Sequence, residues 1–254
     1  MRILVCVKRV PAPGSKINIT ADGQRVDDTN LGHTTSPHEE CAVEAASQLI
    51  EEHGGEAVVL TLGGIEAEEQ LRYAVSVGMH SGVLLSTDGG EWDPQRTAAA
   101  IAAAVTSLEA EGGPFDLVLF GNESADSSGF QVGIRVAHAL GRPMVNGAKG
   151  LRVEGGTAHV EREADAGREA YELPMPAVVG VKEGINLPRY PTMKGRLASK
   201  KAGVVTVEPA GEAGGLQMVT LKPPPERTNE TVILGNGPEA AAAVVDVLEE
   251  IGVL

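Results

Sequence analysis

The run Phe115-Asp116-Leu117-Val118-Leu119-Phe120-Gly121-Asn122-Glu123-Ser124-Ala125-Asp126-Ser127-Ser128-Gly129-Phe130-Gln131-Val132-Gly133 joins three kinds of sequence end to end. Phe115–Phe120 is apolar at every position but Asp116, the pattern of a strand buried on both faces. A small polar loop follows. Gly129 then opens a stretch with helical spacing that runs to Leu140 and is closed by Gly141. A strand feeding a polar loop and then a helix is the repeating unit of a parallel α/β sheet. Backbone N–H groups and the positive end of the helix dipole converge on such a loop, which suits a phosphate or pyrophosphate. Ser127 and Ser128 add hydroxyl donors, and Gly129 and Gly133 permit close backbone approach. The run is neither G-x-G-x-x-G nor a Walker loop, so a capped helix start with solvated serines accounts for it equally well.

Upstream the same unit recurs. Ile3–Val7, Ala57–Leu62 and Val83–Ser86 read as buried strands. Each is followed by a helical stretch: His38 to Glu52 behind Pro37, Glu66 to Val77 closed by Gly78, and Pro94 to Glu111 with an alanine-rich face. Proline suits the first helical position. This alternation predicts a doubly wound, mostly parallel Rossmann-like sheet, with a ligand crevice where the strand order reverses. On that edge Lys8-Arg9-Val10-Pro11 supplies two cations that either face an anion or end a strand in solvent. Ser36-Pro37-His38-Glu39 forms a further wall of the crevice.

Beyond Pro143 the pattern changes. Leu151–Glu154, Ala158–Glu163 and Ala170–Leu173 are short alternating runs, with Gly155-Gly156 as a tight turn, and predict an antiparallel meander. Ala177–Val181 is again fully apolar and is expected to return to the sheet. Residues 1–207 are read as the nucleotide-binding α/β domain. Residues 208–254 are read as an extended arm, rich in Gly and Pro from Glu208 to Gly235, followed after Asn236-Gly237-Pro238 by a helix. Val244, Val247, Leu248 and Ile251 lie on one face of that helix, which either folds back on its own domain or packs on a partner chain.

Composition narrows the function classes. A net charge of −14 argues against a nucleic-acid groove, which needs a concentrated basic surface. The charge is uneven, because Lys194, Arg196, Lys200 and Lys201 cluster, as a docking surface would. Aromatic residues make up only 3%, so Ala, Val, Leu and Gly must fill the core. The two cysteines, Cys6 and Cys41, form no CxxC or Cys/His cluster, so no metal site is expected. No GxSxG elbow and no defensible nucleophile–base pair is found, and no catalytic residue is assigned. The first residues read as a strand, without the apolar region of a signal peptide, and no stretch is long and apolar enough to cross a membrane. A cytoplasmic location is the expectation.

Two segments carry a resemblance. Val178-Val179-Gly180-Val181-Lys182-Glu183-Gly184-Ile185-Asn186-Leu187-Pro188-Arg189-Tyr190-Pro191-Thr192-Met193-Lys194-Gly195-Arg196-Leu197-Ala198-Ser199-Lys200-Lys201 and the opening Val5-Cys6-Val7-Lys8-Arg9-Val10-Pro11 resemble the signatures of electron-transfer flavoprotein β subunits. Pro37 to Ala46, with Glu44 in the helix, and the Gly121–Gly133 loop match in place and order. The likeness spans nearly the whole chain.

The resemblance implies an adenine-nucleotide α-hydrolase-like fold and a heterodimer with a larger α subunit, whose mobile domain carries the redox-active FAD. It implies a structural AMP in this subunit. Carried over by position, the AMP walls are Cys6, Ser36, Pro37, His38, Glu39, Leu62, Glu123, Ser124, Ala125, Asp126, Ser127, Ser128, Gly129, Phe130, Gln131 and Val132. Asp126 and Gln131 match the family closely, while Ser127 to Phe130 vary from it. Pro13 stands where many members have an aromatic near the flavin. Pro188–Lys201 corresponds to the loop that docks acyl-CoA or related dehydrogenases, with Met193 as the apolar anchor and Pro188, Arg189, Tyr190, Lys194, Arg196 and Lys200 around it. Glu163 corresponds to a carboxylate that holds the flavin domain. The implied role is that of a non-catalytic electron carrier in fatty acid oxidation, delivering to a quinone reductase.

Two other readings stay open. In flavin-bifurcating members a second FAD replaces AMP and NADH is oxidised; Phe130 would crowd an isoalloxazine there. A stand-alone adenine-nucleotide sensor fits the first 140 residues but leaves the meander, the basic loop and the tail helix without a purpose.

Overall fold

The structure, a computed structural model, describes residues 1–211, 214–225 and 231–254. Its elements run β1 (Arg2–Cys6), β2 (Val10–Pro11), β3 (His33–Thr34), α1 (Pro37–His53), β4 (Glu56–Gly63), a 3-10 turn (Ile65–Ala67) and α2 (Glu68–Ser76). There follow β5 (Ser81–Ser86), α3 (Pro94–Gly112), β6 (Leu117–Gly121), α4 (Val132–Ala139), β7 (Met144–Glu154), β8 (Thr157–Ala164) and β9 (Gly167–Pro174). The chain closes with β10 (Ala177–Val181), α5 (Met193–Lys201), β11 (Val204–Val207), a second 3-10 turn (Pro238–Ala240) and α6 (Ala241–Glu250).

One large sheet organises the chain, in the order β11-β5-β4-β1-β6-β10-β7-β8-β9. The seven strands from β11 to β7 are parallel to their neighbours, and β8 and β9 pair antiparallel. The chain moves outward from β1 to β4 and β5, then returns to place β6 on the other side of β1, so strand order reverses between β1 and β6. This is the doubly wound α/β arrangement expected from the alternating runs.

The period-two geometry of a strand divides the core into two layers. Ile3, Val5 and Val7 of the β1 region pack with α1 and α2 on one face, while Leu4 and Cys6 pack with α3 and α4 on the other. Small side chains in the helices (Ala42, Ala45 and Ala46 in α1; Ala98 and Ala100 in α3) let them sit close to the strands without aromatic filling.

Several boundaries depart from the sequence reading, each for a packing reason. The first meander strand, expected at Leu151, begins at Met144, because its first half pairs with β10 and only its second half with β8. Asn146, Gly147 and Lys149 break the apolar pattern there, while Val145 and Ala148 are buried. The Gly155-Gly156 turn is as expected, with both residues at positive φ, 56° and 84°. The helix expected from Gly129 starts at Val132. The segment Pro188–Lys201, expected as a loop, is helical from Met193: Thr192 caps it, its hydroxyl accepting from Gly195 N–H at 3.0 Å. Gly195 lies so close to the end of α2 that a Cβ would stand 2.1 Å from the Ser76 carbonyl oxygen. Val204–Val207, too short to stand out in the sequence, is a strand that adds to the outer edge of the sheet beside β5.

Past Val207 the chain runs without helix or strand to the second 3-10 turn, over the residues described. Of the expected arm, 212–213 and 226–230 lie outside the described residues. Gly211 and Gly214 touch the start of α3: Arg96 donates to the Gly211 carbonyl at 3.4 Å, and Gly214 N–H donates to Asp93 Oδ2 at 2.9 Å. Further on, Leu221 N–H donates to the Gly23 carbonyl at 2.8 Å. α6 itself buries no residue.

Candidate functional site

The reversal of strand order brings the ends of β1 and β6 side by side, and the expected site residues gather there. α1 begins at this edge with a capping box. Ser36 is the N-cap, its hydroxyl accepting from Glu39 N–H at 3.3 Å, and Glu39 Oε2 accepts from Ser36 N–H at 2.9 Å. The spacing Ser36-Pro37-His38-Glu39 is the sequence signature of that box. What the sequence does not reveal is that Glu39 Oε1 also accepts from Lys8 N–H at 2.9 Å, tying the helix start to the end of β1. Burial pushes the Glu39 carboxyl up to about 8, against the pull of these two N–H donors and the Lys8 charge.

His38 ties a third and a fourth element to the same point. Its Nδ1 accepts from Glu183 N–H, just beyond β10, at 2.9 Å. The ring proton is therefore on Nε2, which faces Glu123 Oε1 at 3.3 Å. The Ser36 hydroxyl donates to the Glu123 carbonyl at 3.2 Å. These contacts require the β6 end to press on α1. At Gly121 a Cβ would stand 2.7 Å from Glu39 Cγ and 3.1 Å from the Glu39 backbone nitrogen, so only glycine fits.

The loop after β6 folds on itself and on Lys8. Lys8 Nζ lies 2.7 Å from Asp126 Oδ2 and 2.7 Å from Glu91 Oε1, the latter from the loop after β5. Ser124 and Ser127 share a hydroxyl hydrogen bond at 2.8 Å, and Asp126 Oδ1 accepts from Ser127 N–H at 2.7 Å. The left-handed positions are Ser128 (φ 45°) and Phe130 (φ 53°), not Gly129. Phe130 is exposed. α4 then starts at Gln131 without a side-chain cap. Among the described residues no side chain caps its first N–H groups, which follow directly on the loop that carries Ser124, Ser127 and Ser128.

These facts refine the candidate roles. Lys8 is neutralised by two carboxylates. Arg9 makes no ion pair among the described residues, and its Nε is buried without a partner. The Cys6 side chain packs in the core, and burial, with Glu39 nearby, pushes its thiol well up. Leu62 packs against the same core layer. Gly133 serves packing, since a Cβ there would stand 3.1 Å from the Phe120 ring and the Met144 methyl. Among the described residues no three His, Cys, Asp or Glu side chains group as a metal site would need, and no helix is long and apolar enough to cross a membrane.

The arrangement can hold both an anion and hydrogen-bonding polar groups. An uncapped helix start in a loop with serine hydroxyls offers donors to a phosphate, and Glu123 and Asp126 offer acceptors to hydroxyl and amine groups, while Glu39, buried with both oxygens engaged, serves the frame of the site.

The other candidate surfaces stand apart. Leu187, Tyr190, Met193 and Leu197 are exposed around the start of α5, with Tyr190 89% and Met193 75% accessible. Lys194, Arg196 and Lys200 are exposed beside them, whereas Arg189 is turned inward onto Glu44 and Glu51. Glu163 is exposed near the end of β8, opposite Arg168 of β9, and forms no ion pair among the described residues.

The chain is similar in sequence to known proteins. The model of the electron transfer flavoprotein domain matches residues 25–212. The electron transfer flavoprotein subunit beta of Syntrophomonas wolfei subsp. wolfei is 34% identical over 228 residues, covering 89% of this chain and 87% of that protein. The subunit beta of Mycobacterium tuberculosis (strain ATCC 25618 / H37Rv) is 36% identical over 211 residues, covering 81% and 78%. The human subunit beta is 31% identical over 258 residues, covering 99% and 98%. With its doubly wound sheet and a match that runs through both the switch-point loop and the exposed start of α5, the chain belongs to the family of electron transfer flavoprotein β subunits.

Proposed function

We propose that this chain is the non-catalytic subunit of a heterodimeric electron carrier, holding a structural AMP at the β1/β6 switch point while FAD sits mainly in the α subunit. The observation that carries this reading is the uncapped start of α4, directly after the loop that carries Ser124, Ser127 and Ser128, at the point where strand order reverses. Glu123 to Val132 and Ser36 to Glu39 form the walls, with the Cys6 backbone and Leu62 at the strand ends. Phe130 adds bulk on this loop and favours AMP over a second FAD, so the bifurcating form that oxidises NADH is the lesser reading. Acid-released nucleotide from the purified heterodimer should be AMP, with one FAD per heterodimer. Two FAD and no AMP would replace this reading with the bifurcating one.

In the same reading, residues 188–201 dock acyl-CoA or related dehydrogenases, and a quinone reductase accepts the electrons. Met193 is the apolar anchor, steered by Lys194, Arg196 and Lys200. Glu163, exposed and without an ion pair among the described residues, holds the flavin domain of the α subunit. Residues 208–254 form an arm and helix for the α subunit. An α6 that buries nothing on its own chain, with Val244, Val245 and Ile251 exposed, supports that assignment.

A further inference from the structure

Arg189 lies within the proposed docking segment, yet its charge faces the protein. Nε donates to Glu44 Oε2 at 2.8 Å, Nη2 to Glu44 Oε1 at 3.0 Å, and the Arg189 backbone N–H to Glu44 Oε2 at 3.2 Å. Nη2 also donates to Glu51 Oε2 at 3.0 Å, and Nη1 donates to Glu51 Oε1. Glu44 is only 5% exposed and accepts from Gln48 as well, at 2.7 Å. Burial would raise its carboxyl, but the Arg189 hydrogen bonds outweigh burial and hold it below the usual range.

The same helix fastens the preceding residues. His38 accepts from Glu183 N–H, and the Cys41 carbonyl accepts from Asn186 Nδ2 at 3.0 Å. His38, Cys41, Glu44 and Glu51 share one face of α1, so the chain from Glu183 to Arg189 is fastened to it at three successive points. Immediately beyond, Tyr190 and Met193 turn into solvent. On the far side α5 is held by α2, where Arg72 Nη1 donates to the Ser199 carbonyl at 2.6 Å.

We propose that Arg189 is a positioning residue of the docking segment and not one of its contacts: held between Glu44 and Glu51, it fixes the direction in which Tyr190 and Met193 leave the protein. The inference rests on the docking role proposed above. A planar guanidinium can serve two carboxylates in fork geometry, and an ammonium cannot, so charge alone will not substitute. Without the clamp, Glu44 is left buried and unpaired, and the segment must be ordered at the moment of binding. Lys194, Arg196 and Lys200, which form no ion pairs among the described residues, remain to steer an acidic partner.

The test uses the heterodimer and an acyl-CoA dehydrogenase, following electron transfer against dehydrogenase concentration at several salt concentrations. Arg189→Lys and Glu44→Gln should each raise the half-saturating concentration by about tenfold, with the maximal rate and the salt dependence unchanged. Hydrogen exchange at residues 187–193 should quicken in both. Arg189→Lys at wild-type level, with Arg189→Ala flattening the salt dependence, would show that Arg189 touches the partner and overturn the proposal. Met193→Ala is the control: if it too transfers normally, the docking role fails, and hydrogen exchange decides the clamp alone. Unchanged exchange at 187–193 in Glu44→Gln then overturns it.

Discussion

Lys8 Nζ and Asp126 Oδ2 meet at 2.7 Å across the point where the sheet reverses its strand order. The pair joins the end of β1 to the loop after β6, and the Asp126 side chain is only 26% exposed. Burial alone would raise its carboxyl, but Lys8 prevails and holds it below the usual range. In Asp126→Asn, Lys8 keeps Glu91 while the loop loses its tie to β1. We expect a loss of about 1–2 kcal/mol of stability and less AMP retained after gel filtration. Wild-type nucleotide content together with wild-type urea midpoints would show that the tie is incidental.

Glu39 gives the protein a pH signature. Its carboxyl is raised from 4.5 in the unfolded chain to about 8 in the folded protein. The folded state therefore holds a proton that the unfolded state has released between those values, and stability from this group falls as pH rises from about 4.5 to 8, then levels. The lowered carboxyls Asp126 and Glu44 act with opposite sign and in a lower window, their contribution disappearing as pH falls through their folded values. Glu39→Gln should be less stable than wild type at low pH, because its amide meets one N–H donor head-on, and the deficit should shrink towards pH 8. Parallel stability curves for the two proteins from pH 5.5 to 8.5 would refute the assignment.

Gly121→Ala is expected to be the most damaging small change at the site. The added methyl meets Glu39 Cγ at 2.7 Å and the Glu39 nitrogen at 3.1 Å, and the latter is backbone. Either β6 or the start of α1 must shift, at a cost of about 1–3 kcal/mol, and the hydrogen bonds through Glu39 and His38 should loosen with it. Thermal unfolding and nucleotide content should fall together; a drop in neither means that the crevice accommodates the methyl.

Met193→Ala should slow electron transfer from the partner dehydrogenase at limiting concentration. Truncating a well-packed anchor costs about 2 kcal/mol, roughly thirtyfold in affinity. AMP content, FAD content and reduction by dithionite should not change. Glu163→Ala should alter the mobility of the flavin domain and leave partner affinity intact, because Glu163 lies on the meander and Met193 at the start of α5. Normal transfer by Met193→Ala with every candidate dehydrogenase would remove the docking role.

Deletion of residues 238–254 should weaken heterodimer assembly without unfolding the α/β domain, since α6 buries none of its residues on this chain. Co-purification with the α subunit measures the first, and the thermal midpoint of the isolated chain the second. A fall in the isolated chain's midpoint with assembly unchanged would mean that the helix belongs to its own domain.

The α/β architecture was legible because its signals are local. A buried parallel strand is an uninterrupted apolar run, and a helix shows its period, so Ile3–Val7, Ala57–Leu62 and Val83–Ser86 announced themselves, as did Pro94 and Gly155-Gly156 at a helix start and a hairpin. The loop Gly121–Gly133 could be placed on the ligand edge because right-handed crossovers put every strand-to-helix loop there. The family resemblance lay in contiguous motifs and needed no coordinates.

What tertiary structure alone decided involves residues far apart in the chain. Met144 to Ala148 is strand because β10 offers a ladder to a segment with weak propensity of its own, and Met193–Lys201 is a helix packed on α2. Ser128 and Phe130, not Gly129, take the left-handed backbone. Lys8 meets Asp126 and Glu91, and Arg189 meets Glu44 and Glu51, only because strand order and helix placement bring those elements together. A charge carries no mark in the sequence of the partner it will find; that depends on which strands become neighbours, a property of the whole sheet.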